Sequence, residues 1–220
     1  MYVTENGLMN GTGEGIFAPA ETMTRAMVVT VLYRLQGEPE VEYKSTFTDV
    51  KNNKWFTDAV IWAAENKIVE GKGNGIFAPT ETITREQLAA IIMRYAPMEY
   101  IITEERADIT GYADYKRVHD YAKDALSWAN AIGLITGKTA DTLAPREGAT
   151  REQFAKILRC FKEYDSYKYE LVYNTPKPLS TYTEPDYPLV TDADIYVAVD
   201  GNDSNSGTLD KPVKTFAKAK

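Results

Sequence analysis

The feature that most constrains the fold of this chain is an internal repeat. The segment GIFAP occurs at residues 15–19 and again at residues 75–79, and a degenerate copy, TLAP, occupies residues 142–145. Each copy is followed by a Thr-Arg pair, at residues 24–25, 84–85 and 150–151, so the steps are 60 and 66 residues. A repeat of this length predicts one supersecondary unit per copy, because each unit buries its apolar face only against its neighbours.

The residues after each Thr-Arg pair predict three equivalent α-helices. Their apolar positions follow the spacing i, i+3, i+4 and i+7, which places them on one face of a helix. The three sets are Val28, Val31, Leu32 and Leu35; Leu88, Ile91, Ile92 and Tyr95; and Phe154, Ile157, Leu158 and Phe161. We expect the three helices to bury these matched stripes against one another.

A second helix is expected ahead of each loop. The pattern predicts helices over residues 58–66 and 124–132. Chain reversal is expected just after them, near Lys67 and Gly133. In the first repeat only the tail of this helix is present, ending before Gly7. Judging by typical helix length, about a dozen residues of that unit are expected to be missing ahead of the first residue.

The Thr-Arg pairs carry a structural signal and a functional one. Thr84 with Gln87, and Thr150 with Gln153, predict capping boxes at the starts of two helices. The arginine needs another explanation, because a cation in the first turn opposes the helix dipole at a cost of about 0.3–1 kcal/mol. Either it forms a salt bridge with a carboxylate of the next repeat, or it binds an anionic ligand with help from the helix amides.

The charge balance narrows the class of partner. The net charge is −7 and the pI is about 4.9, which argues against nucleic acid, because phosphate binding needs a basic surface. No apolar run approaches the roughly 18 residues of a membrane span, so no membrane insertion is predicted. Cys160 is the only cysteine, which excludes an internal disulfide, and its helical setting predicts a buried structural thiol.

No catalytic, cofactor or metal site is predicted in this chain. His119 is the only histidine, and its neighbours predict an exposed helix start. No serine or cysteine has a basic partner near it in sequence, and no carboxylate pair is marked out for acid–base work. The oxygen-rich segment 200–205 lacks the glycine and terminal glutamate spacing of an EF-hand, so turn residues explain it better than a calcium site.

The pattern changes after Phe161. Residues 164–192 are rich in Tyr and Pro and lack periodicity, which predicts an extended linker or wrapping segment. Residues 195–199 alternate like a strand, and the polar turn segment 200–207 follows. With DGND at 200–203 and KPVKTFA at 211–217, residues 193–220 resemble the opening of right-handed parallel β-helix proteins of the pectate-lyase type.

The order and spacing of the repeated motifs resemble the S-layer homology repeat. In the second copy the matching residues are Phe47–Val50, Trp55, Gly71, Gly75–Pro79 and Ile83–Glu86. The resemblance implies a mainly α fold, a pseudo-threefold prism around a central three-helix bundle, followed by an extended C-terminal segment. The expected divisions are repeats at 1–43, 44–103 and 104–163, a linker at 164–192, and the β-helix-like start at 193–220.

The resemblance also implies a function. Proteins of this family are held noncovalently to a secondary cell-wall polymer, often one with pyruvylated sugars, through grooves between repeats. We therefore expect a secreted bacterial surface protein, located at the cell wall, whose partner is a wall polysaccharide. The family's Thr-Arg arginine is associated with the acidic sugar. The candidate ligand-binding residues are Arg85, Arg151, Arg25, Trp55, Gly71 and Gly75.

Tryptophan positions and family departures leave alternatives open. Trp55 either stacks on a sugar face or belongs to the core, whereas Trp62 and Trp128 are expected in the core. The sequence departs from the family motif at several positions: Met27, Gln87 and Gln153 stand where the family often has Glu, and Tyr121 replaces the tryptophan seen at Trp55. The third loop has also lost its Gly-Ile-Phe. These departures predict unequal grooves, with the groove that uses Arg85 closest to the family pattern.

Two other functions compete with wall anchoring. The incomplete first repeat could serve as a surface for self-association or for a protein partner, as in the assembly of a surface layer. The chain could also be a non-catalytic fragment of a polysaccharide-degrading enzyme, given its β-helix-like end.

Overall fold

The structure is a computed structural model that describes residues 2–101 and 103–169, with side chains described over 3–101 and 103–161. All of these residues belong to Met1–Asn174, the first of two units into which the chain divides. The predicted strand at 195–199, the turn segment 200–207 and the β-helix-like stretch 193–220 lie outside the described residues.

Helices account for the regular structure of the described part of the chain. The α-helices are α1 Tyr2–Glu5, α2 Arg25–Leu35, α3 Thr57–Glu65, α4 Arg85–Tyr95, α5 Asp120–Ala131 and α6 Arg151–Tyr169. Short 3-10 helices cover Ala96–Glu99 and Tyr115–Arg117. Over these residues β-pairing is limited to isolated bridges, so the predicted mainly α class is confirmed. None of the described helices is long and apolar enough to cross a bilayer.

Helices α2, α4 and α6 start where the Thr-Arg pairs predicted. Thr84 Oγ1 accepts from the Gln87 amide at 3.3 Å, and Gln87 Oε1 accepts from the Thr84 amide at 3.1 Å, which closes the expected capping box. Thr150 makes the same pair of bonds in the third repeat. In α2 the sulfur of Met27 takes the place of the glutamine, 3.5 Å from the Thr24 nitrogen.

The helices ahead of the loops match the prediction, with one shifted start. Helix α3 lies within one residue of the predicted range at each end, and reversal follows at Lys67, whose φ is 59°. Helix α5 begins four residues earlier than the predicted Asp124. The added turn is stabilised by the acidic Asp120, favourable at a helix N-terminus, and by its ion pair with Lys123 at 2.5 Å.

The last described helix, α6, runs past residue 163, where the third repeat is predicted to end. Helix α6 continues to Tyr169, so residues 164–169 are helical instead of the start of an extended linker. The sequence explains the difference, because no glycine or proline interrupts the chain until Pro176. A Tyr-rich composition does not by itself end a helix.

The predicted apolar stripes form the core. Eleven of the twelve stripe residues are buried, and only Leu35 is partly exposed. Trp62 and Trp128 are buried as expected. Cys160 is only partly buried against the core, so the fully buried thiol that the pattern predicted is wrong. Each second helix packs on a Thr-Arg helix of another repeat: α3 on α2, α5 on α4, and α1 on α6.

A closed ring of hydrogen bonds relates the three repeats. The residue before each capping threonine takes part: Met23 N donates to Ala149 O, Ala149 N to Ile83 O, and Ile83 N to Met23 O, all at 2.9 Å. Gly148 sits where this ring is tightest, since an added Cβ would lie 2.8 Å from Thr82 Cγ2. The ring supports a pseudo-threefold relation, while the full prism around a three-helix bundle stays a prediction.

Candidate functional site: the grooves between repeats

The three Thr-Arg arginines join each repeat to the next. Arg25, Arg85 and Arg151 are 5%, 6% and 6% exposed. Their Nε–H groups donate to loop carbonyls of the following repeat: Arg25 to Phe77 at 2.8 Å, Arg85 to Leu143 at 2.9 Å, and Arg151 to Phe17 at 2.8 Å. The arginines therefore contact backbone carbonyls, and among the described residues none of the three forms the salt bridge that was the structural alternative to ligand binding.

The helix amides beside these arginines are also in use. The backbone N–H of Arg85 donates to the Glu147 carbonyl at 2.9 Å, and that of Glu86 donates to the Pro145 carbonyl at 2.9 Å. The other two repeats make the same bonds, and the third amide of each helix is capped by threonine. The predicted help of free helix amides in binding an anion is wrong, because the loop of the next repeat covers the helix end.

The terminal nitrogens distinguish Arg25 from the other two arginines. Nη2 of Arg85 donates to the Thr136 carbonyl at 2.6 Å, and Nη2 of Arg151 donates to the Asn10 carbonyl at 2.6 Å. Within the described residues, Arg25 makes no matching bond to Glu70. Its Cζ lies 4.8 Å from the centre of the Phe77 ring, a contact that it shares with Arg151, whose Cζ lies 4.7 Å from the centre of the Phe17 ring. Burial lowers the pKa of Arg25, and the charge of Glu81 opposes this shift most strongly.

Groove 1 is a cavity of about 350 Å³ between the first and second repeats. Four of the residues that line it have long polar side chains: Arg25, Lys72, Gln87 and Arg94. Tyr121 of the third repeat also lines it. Groove 1 thus combines three cations, an amide and an aromatic ring with one carboxylate, that of Glu70, which pairs with Arg94 at 3.0 Å.

Groove 2 is the equivalent cavity between the second and third repeats, with a volume of about 200 Å³. Arg85, Lys138 and Gln153 line it at the positions that Arg25, Lys72 and Gln87 occupy in groove 1. Lys156 adds a third cation. The two cavities thus present the same three polar residue types at matching repeat positions.

The third groove position, beside Arg151, lacks this set. Counting back one repeat from Lys72 gives Thr12, and counting back from Gln87 gives Met27. The counterpart of Arg94 is Arg34, which donates to the Leu8 carbonyl at 3.2 Å and lies 3.5 Å from Glu38. The lysine and the amide that grooves 1 and 2 share are therefore replaced here by a hydroxyl and a thioether.

The ring that completes groove 1 has a defined setting. Tyr121 is 53% exposed, and its ring stacks on His119 with centroids 5.8 Å apart. Burial of part of the side chain raises the pKa of Tyr121, and Glu86 reinforces the shift. His119 in turn contacts the buried Glu86 through Nδ1 at 2.5 Å and through its backbone N–H at 3.1 Å. His119 is the predicted helix start, and this contact fixes it to α4.

The grooves include some of the predicted site residues and leave others out. Gly71 lines groove 1, but packing also requires it, since an added Cβ would lie 2.6 Å from Phe47 Cε1 at a φ of +77°. Gly75 is not among the lining residues of groove 1 or groove 2, and its carbonyl accepts from Thr48 N. Trp55 also lies outside their linings and is 63% exposed, which excludes the core alternative.

Sequence reasoning missed the groove lysines and Tyr121. Lys72 and Lys138 each follow a loop glycine and are separated by one repeat step of 66 residues, and this signal could have identified them. Tyr121 stands one repeat from Trp55. Its place in a groove between other repeats depends on how the three units meet, which no spacing along the chain reports.

Two aspartates hold the loops that form the groove walls. Asp49 accepts from the Phe77 and Ala78 amides at 2.9 and 2.7 Å. Asp114 accepts from the Leu143 and Ala144 amides, both at 2.8 Å. Neither aspartate side chain caps the helix that follows it in the chain. They bind a loop nearly thirty residues further along, at alanines with φ of 60° and 52°.

A ring of helical repeats with basic grooves between them defines a multi-repeat binding module. Residues 1–26, 46–89 and 111–155 match the S-layer homology domain. The chain belongs to this family. It is a cell-surface module that anchors its protein to the cell wall, and the matched domain is itself non-catalytic.

Relatives include glucanases and a surface-layer protein. Exoglucanase XynX of Acetivibrio thermocellus is 32% identical over 69% of this chain and 14% of its own length. An endoglucanase of Bacillus sp. (strain KSM-635) is 36% identical over 70% and 16%, and the surface-layer 125 kDa protein of Lysinibacillus sphaericus is 32% identical over 70% and 13%. The chain thus spans less than a fifth of the length of these relatives.

Among solved structures, the undecaheme cytochrome from the S-layer of Carboxydothermus ferrireducens matches 82% of this chain and 21% of its own, with a TM-score of 0.38 and 18% identity.

Proposed function

We propose that grooves 1 and 2 bind an acidic sugar of a secondary cell-wall polymer and so provide the anchoring contact. The observation that carries this proposal is the shared triad of Arg, Lys and Gln: Arg25, Lys72 and Gln87 in groove 1, and Arg85, Lys138 and Gln153 in groove 2. The net charge of the chain is −7. Concentrated cations on such a chain favour an anionic ligand at these two places.

The chemistry of the triad fits a carboxylate on a sugar ring. Each arginine is held through Nε and lines its groove, where a guanidinium can donate charge-assisted hydrogen bonds to a carboxylate. The lysine supplies a second charge, and the glutamine amide can both donate to and accept from hydroxyl groups. Arg25 retains both terminal nitrogens for ligand, whereas Arg85 uses one for Thr136.

The proposal assigns different roles to the three arginines. Arg25 and Arg85 bind ligand and also join repeats, whereas Arg151 mainly joins repeats, because Thr12 and Met27 replace the lysine and the glutamine beside it. The chain is then bivalent. Two linked sites on one polymer give an effective concentration in the millimolar range, so modest single-site affinities yield firm attachment.

The test is calorimetric titration with secondary wall polymer purified from the organism that makes this chain. Lys72→Thr and Lys138→Thr introduce the residue found at the third position. Each is expected to weaken its own site about tenfold, and the double variant to bind near background. Lys116→Thr, at an exposed cation outside both grooves, is the matched control and should bind like wild type.

Two results would contradict the proposal. Unchanged binding by the double variant would remove the grooves from recognition. Absence of binding by wild type, together with concentration-dependent dimers in sedimentation, would favour self-association as the function.

We further propose that the whole protein carries a polysaccharide-active domain. The relatives named exoglucanase and endoglucanase support this, as does the resemblance of residues 193–220 to the start of a β-helix. The whole protein should release reducing sugar from a polysaccharide substrate, and the 220-residue chain should not. No release by the whole protein from wall polymer, pectin or glucan would count against this.

A further inference from the structure

We propose that Glu81 and Glu147 determine the acid selectivity and the affinity of grooves 1 and 2. Each acts as a built-in carboxylate that competes with the ligand for the groove lysine. This inference rests on the proposed function of the grooves. It assigns a specificity-determining role to two glutamates that contact the groove lysines.

The carboxylate of each glutamate contacts the Nζ of the groove lysine, the atom that a ligand carboxylate would also bind. Nζ of Lys72 is 2.6 and 2.5 Å from the two carboxylate oxygens of Glu81. Nζ of Lys138, one repeat further on, is paired with Oε2 of Glu147 alone. All four side chains are between 38% and 56% exposed, so water and ligand can reach both partners and the pairs can exchange.

The same carboxylates act on the groove arginines. Burial lowers the pKa of Arg25, and among the charges that raise it again Glu81 is the strongest. For Arg85 the corresponding charge is Glu147. Each glutamate therefore lies in the field of both cations that the proposed ligand needs, which supports direct competition.

The groove position beside Arg151 has the glutamate but no lysine for which it could compete with a ligand. Glu21 is the counterpart of Glu81 and Glu147, but Thr12 stands where the lysine should be. The backbone carbonyl of each glutamate accepts a hydrogen bond from an arginine amide at 2.9 Å. Because the acceptor is a backbone oxygen, this contact survives a change of the side chain at any of the three positions.

The competition predicts selectivity for acids. A neutral sugar brings no counter-charge for the Lys72 ammonium, so it gains nothing by displacing Glu81. An acidic sugar can replace it, and the strength of the displaced pair is subtracted from the binding free energy. For an exposed ion pair the penalty corresponds to about a two- to fivefold lower affinity.

The experiment uses the full chain with Glu81→Gln, Glu147→Gln and, as the matched control, Glu21→Gln. The probe is purified secondary wall polymer, either native or with its carboxyl groups reduced to alcohols. Glu81→Gln and Glu147→Gln are each expected to raise affinity for native polymer about two- to fivefold. Glu21→Gln should match wild type. Reduced polymer should bind no better to either groove variant than to wild type.

Gain of affinity cannot arise from misfolding, and thermal midpoints for all variants would confirm an intact fold. Unchanged or weaker binding by Glu81→Gln and Glu147→Gln would overturn the inference, since it would show that the pairs only brace the loops. Equal gains in all three variants would also overturn it, by reducing the effect to net charge. Failure of wild type to bind native polymer would instead refute the proposed function.

Discussion

Replacing Arg85 with methionine should destabilise the fold whether or not any ligand is present. Its side chain is 6% exposed and donates to two carbonyls of the third repeat, Leu143 and Thr136. Methionine fills similar volume, so cavity effects are small. Loss of two hydrogen bonds from a charged donor costs about 2–4 kcal/mol. Burial already lowers the pKa of Arg85, so methionine regains some desolvation energy, and we expect about 2 kcal/mol.

Thermal and urea unfolding measure this effect. For a unit of this size, about 2 kcal/mol lowers the unfolding midpoint by roughly 4–8 °C. The matched control is Lys156→Met, which removes a cation from the same groove. Lys156 is exposed and makes no hydrogen bond within the described part of the chain, so its loss should stay within about 0.5 kcal/mol. Equal stabilities for the two variants would refute the role of Arg85 in joining repeats.

The groove arginines have a structural role as well as the proposed role in binding. An arginine substitution that abolishes wall binding does not by itself identify a ligand contact, because the same side chain holds two repeats together. The lysines of the grooves are the cleaner probes, since they are partly exposed and their ion pairs contribute little to folding.

Two further variants probe the loops and groove 1. Asp114→Ala should lower the free energy of unfolding in urea by about 3 kcal/mol, because two loop amides lose a charged acceptor. Asp141→Ala, at an exposed carboxylate of the same loop, should unfold like wild type. Equal urea midpoints for the two variants would refute the role of Asp114 in holding the loop. Tyr121→Ala should weaken polymer binding at groove 1 by about threefold to tenfold, whereas Tyr121→Phe and Trp55→Ala should bind normally, as titration would show. A matching loss in Trp55→Ala would contradict a specific role for Tyr121.

The helices and core could be predicted from sequence because their determinants are local. The spacing i, i+3, i+4 and i+7 specified which residues face inward, and eleven of twelve were buried. Threonine followed by glutamine at the third helical position specified the capping boxes at Thr84 and Thr150. The errors fell at element ends, such as the start of α5 and the end of α6, where no glycine or proline marked a boundary.

The repeated sequence by itself determined that three equivalent units exist, what each unit folds into, and that an arginine stands at each helix start. Only the tertiary structure decided what those arginines do. Their partners are backbone carbonyls, which leave no trace in side-chain identity, and the loops that supply them belong to the next repeat. Tyr121 enters groove 1 for the same reason: the residues that line each groove come from separate units, and their distances depend on how the units pack.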